Sequence, residues 1–387
     1  ESVKQDNANK NSDMLGTQRD YMAGTKSKAI VKKTWSKKII SLDSKGVIHI
    51  HDKDYRAMRM TNCCLVNLKY MFRNGYMLNS EFMHEPSDFL VACTCATQIA
   101  QHVCSEQYGG QTMSWAHISY YVNKTRQKYR KAVKEEFESV GITAIEEQIN
   151  EIAEQRTLKE IKKGVKTFQY QILTLSGTNG QSPFISVAIN FAECENDQER
   201  YDLYLVAKEV FEQRLRGVED ANGHRVSALF PKILYFLDEY TAEGGEYFDK
   251  LMPLICKCEN ERMAPDFISS KVQKSLKGNT IAYPCMGCRS FLTTDGTYLE
   301  DGIIKNCNEN FYGRHNNGVI TINLPYVALE ANRIYNELTA QGEKISLKDI
   351  FFDKLNEYLE VIYNDGFVQT YKRLKGTKAK VAPTLWV

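Results

Sequence analysis

The chain has 387 residues, 43% of them apolar and 25% charged, which is ordinary for a globular protein with a large core. Its 50 basic residues stand against 48 acidic ones, a net charge of +2, so no global field points to nucleic acid. No apolar run is long enough to span a membrane, the polar start carries no apolar signal core, and 11 scattered cysteines do not make a secreted disulfide framework; a reducing cytoplasm is the expected location.

Residues 1–11 read as disordered or as a linker. Residues 12–24 form a compact stretch closed by Gly24, and residues 26–40 read as a basic helix. Residues 46–52 alternate at period two, a short strand with His49 and His51 on one face. In the strand candidate 61–68, Cys63 and Leu65 share one face, Asn62 and Cys64 the other. Residues 79–108 and 114–176 read as mainly helical, and the dense charge between Arg126 and Lys166 reads as a solvated helix face. A β-rich run at 183–191, a helix at 197–215 and a strand at 232–237 follow. Residues 319–324 read as a strand closed by Pro325, which suits the first turn of a helix, and 347–374 as a helix with an apolar stripe. This alternation argues an α/β fold with helices outside a sheet or barrel.

Four segments carry candidate chemistry. In Tyr283-Pro-Cys-Met-Gly-Cys-Arg-Ser-Phe-Leu292, the Pro and Gly oppose a plain helix or central strand, so the segment reads as a loop presenting Cys288, with Arg289 next to it. Cys285 and Cys288 make a CxxC pair, which suggests a redox dithiol or half a zinc site. Zinc is the weaker reading, because Cys256-Lys-Cys258 is spaced one residue too close and Cys307 stands alone. Asn62-Cys63-Cys64 reads locally as packed core thiols, of which only one can face a given cavity. Gly313-Arg-His-Asn-Asn-Gly318 reads locally as a turn feeding a strand. His49 and His51 could both ligate a metal, but without an evident third ligand a structural or substrate-orienting role is favoured.

Taken in order, these segments resemble one family, as do Ser12-Asp-Met-Leu-Gly-Thr-Gln-Arg-Asp-Tyr-Met-Ala-Gly24, Gln107-Tyr-Gly-Gly-Gln111, Thr167-Phe-Gln-Tyr-Gln171, Thr178-Asn-Gly-Gln181 and Asn323-Leu-Pro325. It is the family of anaerobic (class III) ribonucleoside-triphosphate reductases, which are glycyl radical enzymes. The resemblance runs from about Asn11 to Val387. It implies a ten-stranded α/β barrel of two halves, with helices outside and a finger loop, residues 283–292, inside. By the resemblance Cys288 is the thiyl cysteine at the loop tip, Cys63 the second cysteine with Asn62 beside it, and Asn316 the asparagine that holds the ribose 3′-hydroxyl. Ser290, Arg289, His49 and His51 are the substrate-binding candidates, and no metal site is expected in this chain.

The implied reaction converts ribonucleoside triphosphates to 2′-deoxyribonucleoside triphosphates. A glycyl radical, formed by an S-adenosylmethionine iron–sulfur activase, would take the thiol hydrogen, and the resulting thiyl the 3′-hydrogen; formate would be oxidised to carbon dioxide. Helices at about 108–166 resemble the region of homodimerisation and of dNTP or ATP effector binding. The family's radical glycine and four-cysteine zinc site, and its N-terminal ATP cone, have no counterpart in the sequence, so residues 12–387 are expected to be part of a catalytic barrel, inactive alone.

Two departures stand out. The stretch from His49 to Cys63 is one residue shorter than the family pattern, so the choice of Cys63 over Cys64 rests on the Asn-Cys pair. Cys285 is an extra thiol, able to trap a radical or form a disulfide on oxidation. Two alternatives remain: a pyruvate formate-lyase type enzyme, which carries adjacent cysteines on its finger loop, and a non-catalytic nucleotide-binding or assembly subunit.

Overall fold

The computed structural model describes residues 14–143, 145–277, 282–287, 289–292, 298–300, 303–305, 311–375, 377 and 384. The linker expected at residues 1–11, and Cys288 itself, lie outside the described residues. The chain divides into two compact units, one built on Cys64–His315 and the other joining Asp13–Cys63 to Asn316–Lys378.

The first unit is organised by a six-stranded sheet in the order Asp266–Ser269, Lys232–Leu237, Ile185–Ile189, Gln111–Ser114, Cys64–Leu65, Arg314–His315. The first five strands are parallel to one another and the last is antiparallel. Parallel neighbours need long crossovers, here supplied by the helices Phe89–Glu106, Trp115–Ser139 with Glu146–Thr174, Asp197–Arg216 and Phe248–Arg262. Side chains alternate between the two faces. Met113, Val187, Ile189, Ile233 and Tyr235 join Phe89, Trp115, Phe168 and Phe211 in the core under the helices. Each large side chain buried there contributes roughly 1.5–3 kcal/mol. On the opposite face Ala188, Leu234 and Phe236 pack with Ala282, Cys285 and Phe291, so an irregular loop covers this side.

In the second unit Ile48–Ile50 pairs antiparallel with Ile320–Ile322. Ile48 and Ile50 share a small core with Ile39, Val47, Val327, Tyr358, Val361 and Ile362. Around it lie the helices Leu15–Thr34, Lys37–Ser44, Leu324–Ala340, Leu347–Val361 and Val368–Leu374, the last two joined by a π-helical turn, Ile362–Phe367.

Several boundaries differ from the sequence expectations. The first helix does not stop at Gly24 but runs Leu15–Thr34; Gly24 is there for close approach, since a Cβ would come 2.8 Å from Asp54 Cβ. The break falls at Ser36, whose hydroxyl caps the next helix. Of 61–68 only Cys64–Leu65 joins the sheet, because Asn67 caps a helix that starts at Leu68. Residues 79–88 are not helical: Tyr76–Leu78 and Glu81–Met83 form a hairpin, and the helix begins at Phe89 behind the Asp88 cap. The later strand is Ile320–Ile322, and the helix bearing Pro325 already begins at Leu324. Nor is the charged 126–166 face wholly solvated. Arg126 bridges Glu154 and Asp202, and the nearly buried Glu160 accepts from Thr125 and Tyr129. Among the described residues no helix is long and apolar enough to cross a membrane.

Candidate active site

The loop on the sheet's second face follows a traceable course. Asn190, just past the end of strand Ile185–Ile189, donates from Nδ2 to Ala282 O at 3.0 Å. Midway across, Thr112 Oγ1 donates to Cys285 O at 2.9 Å. At the amino edge Gly287 meets Gly110, the residue before strand Gln111–Ser114; a Cβ on Gly287 would stand 3.1 Å from Gly110 Cα. The loop therefore crosses from the carboxyl edge of the parallel strands to their amino edge.

Side chains hold this path because the loop has no ladder of its own. Gln273 clamps Tyr283 twice, accepting from its N–H at 2.9 Å and donating to its carbonyl at 2.6 Å. Met286 N–H donates to Ser290 O at 2.7 Å, and Arg289 N–H donates to Met286 O at 2.8 Å, which ties Met286 to both residues. Arg289 has φ +67°, a left-handed conformation that costs a non-glycine residue roughly 1–2 kcal/mol. Its guanidinium secures the turn by bonding Gly287 O at 2.9 Å, Ser186 Oγ at 3.4 Å and the Asp266 carboxylate. Burial lowers the pKa of this guanidinium from its ordinary value. Ser290 is exposed.

In the second unit three of the residues singled out from the sequence converge. Asn62 N–H donates to Asn316 O at 3.0 Å, and Asn316 N–H donates to Cys63 O at 2.9 Å. Cys63 N–H reaches Asn316 Oδ1 at 3.4 Å, and the Cys63 thiol faces Asn62 Oδ1 at 3.5 Å. Cys63 and Asn316 are 253 positions apart in sequence. Cys64, by contrast, is packed in the first unit's helix-side core, where burial raises its pKa well above the usual thiol range. His49 and His51 do share a face, with ring centroids 4.6 Å apart, and His51 Nε2 lies 2.7 Å from Thr321 Oγ1. Burial, then the neighbouring His49, lowers the His51 pKa. Among the described residues no cluster of His, Cys, Asp and Glu could hold a metal ion.

Sequence reasoning missed the residues that hold these segments in place. Gln273, Thr112 and Asn190 anchor the loop, yet each is a single polar residue whose partner is a distant main-chain group, and nothing in the neighbouring sequence marks it. Past the carboxyl edge, buried Glu193 accepts from Tyr312 Oη at 2.5 Å and from Ser114 Oγ, while burial raises its pKa. His117 lies beside it, its pKa pushed down to about 3 by burial and then by Lys69 and Arg73. A cavity of about 440 Å³ adjoins Arg289 and is lined by Arg214, Lys232, Arg262, Glu261 and Asp266, with more cations than carboxylates.

A mostly parallel sheet with crossover helices on one face and a cysteine-bearing loop packed on the other defines an α/β protein. The family model described as anaerobic ribonucleoside-triphosphate reductase matches residues 6–387, and the chain belongs to that family. It is 33% identical to the anaerobic ribonucleoside-triphosphate reductase of Enterobacteria phage T4 over 98% of this chain and 58% of that protein. It is 29% identical to the Escherichia coli K12 enzyme of the same name, over 100% of this chain and 49% of that protein. The chain thus spans about half the length of these relatives. A solved structure of the anaerobic ribonucleotide reductase from Thermotoga maritima, in complex with dATP and CTP, matches with TM-score 0.50 at 14% identity over 95% of this chain and 57% of that one, a likeness of fold.

Proposed function

We propose that this chain is the catalytic-barrel portion, residues 12–387, of an enzyme that reduces ribonucleoside triphosphates to 2′-deoxyribonucleoside triphosphates without oxygen. The observation that carries the reading is the convergence of Asn62, Cys63 and Asn316 in a family member. Family membership favours the ten-stranded barrel, of which the five parallel strands of the sheet would be one half and the antiparallel Arg314–His315 strand the start of the other, with residues 283–292 as its finger loop.

In this reading a glycyl radical in the complete enzyme, generated by an S-adenosylmethionine iron–sulfur activase, supplies the unpaired electron. The clamped loop fits such a role, since a relay thiol needs a fixed path and the loop is tied down at Ala282, Tyr283 and Cys285. Cys288 relays a hydrogen atom to and from the ribose 3′-carbon. Asn316 holds the 3′-hydroxyl, with Asn62 fixing the thiol of Cys63. Cys63 acts with formate in the net reaction of formate, a proton and a ribonucleotide to give carbon dioxide, water and a deoxyribonucleotide. His49, His51, Arg289 and Ser290 contact the nucleotide, and the cationic cavity beside Arg289 suits its phosphates. The remainder of the longer relatives would carry the radical glycine and zinc. Helices in the 108–166 region would serve a homodimer and its dNTP or ATP effectors, in the cytoplasm.

The test is anaerobic turnover by the complete enzyme containing this chain, with activase, formate and a ribonucleoside triphosphate. Cys288→Ala is expected to abolish deoxynucleotide formation while leaving nucleotide binding intact. Retained turnover would remove Cys288 from the role.

A further inference from the structure

Arg56 is one of the largest wholly buried side chains of the protein, 1% exposed. A buried cation is costly unless it is paired, and among the described residues no carboxylate forms an ion pair with it. Its partners are backbone carbonyls instead. Nε donates to His51 O at 3.2 Å, one terminal nitrogen to Asn317 O at 3.1 Å and the other to Val319 O at 3.0 Å. A longer contact of 3.4 Å reaches Thr370 Oγ1, and the Trp35 ring lies 6.0 Å from the guanidinium carbon.

Two of these acceptors lie just past Asn316 and flank Gly318. Asn316 itself accepts from the Asn62 N–H at its carbonyl and donates its N–H to Cys63 O. On its carboxyl side the carbonyls of Asn317 and Val319 are both taken by Arg56. Gly318 between them has φ +135°, and any Cβ there would fall on the guanidinium. The glycine that ends the Gly313–Gly318 motif is therefore the space into which Arg56 fits. His51, bonded by the same guanidinium, ties the histidine strand to that segment.

We propose that Arg56 is a positioning residue that sets the placement of Asn316, and through it the substrate's 3′-hydroxyl. This rests on the functional reading above. The planar fork of donors spans three separate carbonyls, a geometry that a single ammonium cannot reproduce. Displacing Asn316 by about 1 Å would cost about 100-fold in turnover. The ribonucleotide KM would change little, since Arg56 is buried and meets His51 only at its main-chain carbonyl, while the His51 ring is held separately by Thr321 Oγ1.

The experiment compares Arg56→Lys, Arg56→Ala, Asn316→Ala and the double variant Arg56→Lys/Asn316→Ala in the complete enzyme, with glycyl radical content measured by electron paramagnetic resonance. Arg56→Lys is expected to lower kcat about 100-fold at parental radical content, with KM within about threefold. The double variant should be no worse than Asn316→Ala, and added guanidinium should restore part of the kcat of Arg56→Ala. Parental kcat in Arg56→Lys, or a loss that only tracks the folded fraction and resists guanidinium, would overturn the proposal. A second readout needs no turnover: in the 387-residue chain, hydrogen exchange at the Asn316 amide should quicken in Arg56→Lys while the Ile48–Ile50 ladder stays protected. Unchanged exchange at Asn316 would refute the positioning role, whereas an inactive parent enzyme would count against the functional reading alone.

Discussion

Gln273 offers a quantitative check on how the loop is held. Replacing it by Leu keeps the volume close and removes both bonds to Tyr283, at 2.9 and 2.6 Å, in a place where Gln273 is 5% and Tyr283 1% exposed. A buried polar group that loses its partner costs roughly 1–3 kcal/mol, so the amide and carbonyl of Tyr283 together cost about 2–6 kcal/mol. The extra apolar surface of leucine returns about 1–2 kcal/mol of that. At the middle of these ranges the net loss is about 2.5 kcal/mol, within the roughly 5–15 kcal/mol that a folded protein has to lose. Gln273→Leu should therefore fold, unfold at lower urea concentration, and be cut faster by protease within 282–292. Urea titration of the chain followed by near-ultraviolet circular dichroism measures the first effect, and peptide mapping of a brief digest the second. A stability within about 0.5 kcal/mol of the parent, with unchanged cleavage, would refute the clamp.

Gly287→Ala puts a methyl group against the Gly110 backbone, which cannot yield as a flexible side chain would, so a destabilisation of about 1–3 kcal/mol is expected in the same titration. Two groups shifted by burial give opposite pH dependences. His117 has its pKa pushed down to about 3, below the ordinary 6.5, so the unfolded chain binds more protons and stability falls as pH drops from about 6.5 toward 3. Glu106, raised to about 7 by burial, binds its proton more tightly when folded; its contribution is fully present below about pH 4.5 and is lost as pH rises through about 7. Between pH 5 and 6.5, His117→Phe should make the slope of stability against pH less positive and Glu106→Gln should make it more positive, each by up to about 1.4 kcal/mol per unit. Equal slopes in parent and variants would contradict both assignments.

Local pattern was a reliable guide where one rule dominated. The apolar run at 183–191 and the strand at 232–237 were legible because a parallel strand buried on both faces reads as a continuous apolar stretch. The irregular character of 283–292 followed from Pro284 and Gly287. The hairpin at 76–83 was missed because its three-residue strands are too short for a period to show. The helix through Gly24 was misjudged because that glycine answers to Asp54, thirty positions away, and not to a helix end.

The amino-acid sequence by itself determined the α/β class, the family, and the cysteines and asparagines most worth watching, since short motifs and periodicities are local properties of a chain. Only the tertiary structure decided that Cys64 is packed in the core while Cys63 stands beside Asn62 and Asn316, and which side chains support them. The supporting bonds join Cys63 to Asn316 across 253 positions and Arg56 to Asn317 and Val319 across 261 and 263. Most of them end on main-chain carbonyls, which every residue presents alike, so no side-chain pattern at the accepting end could announce them.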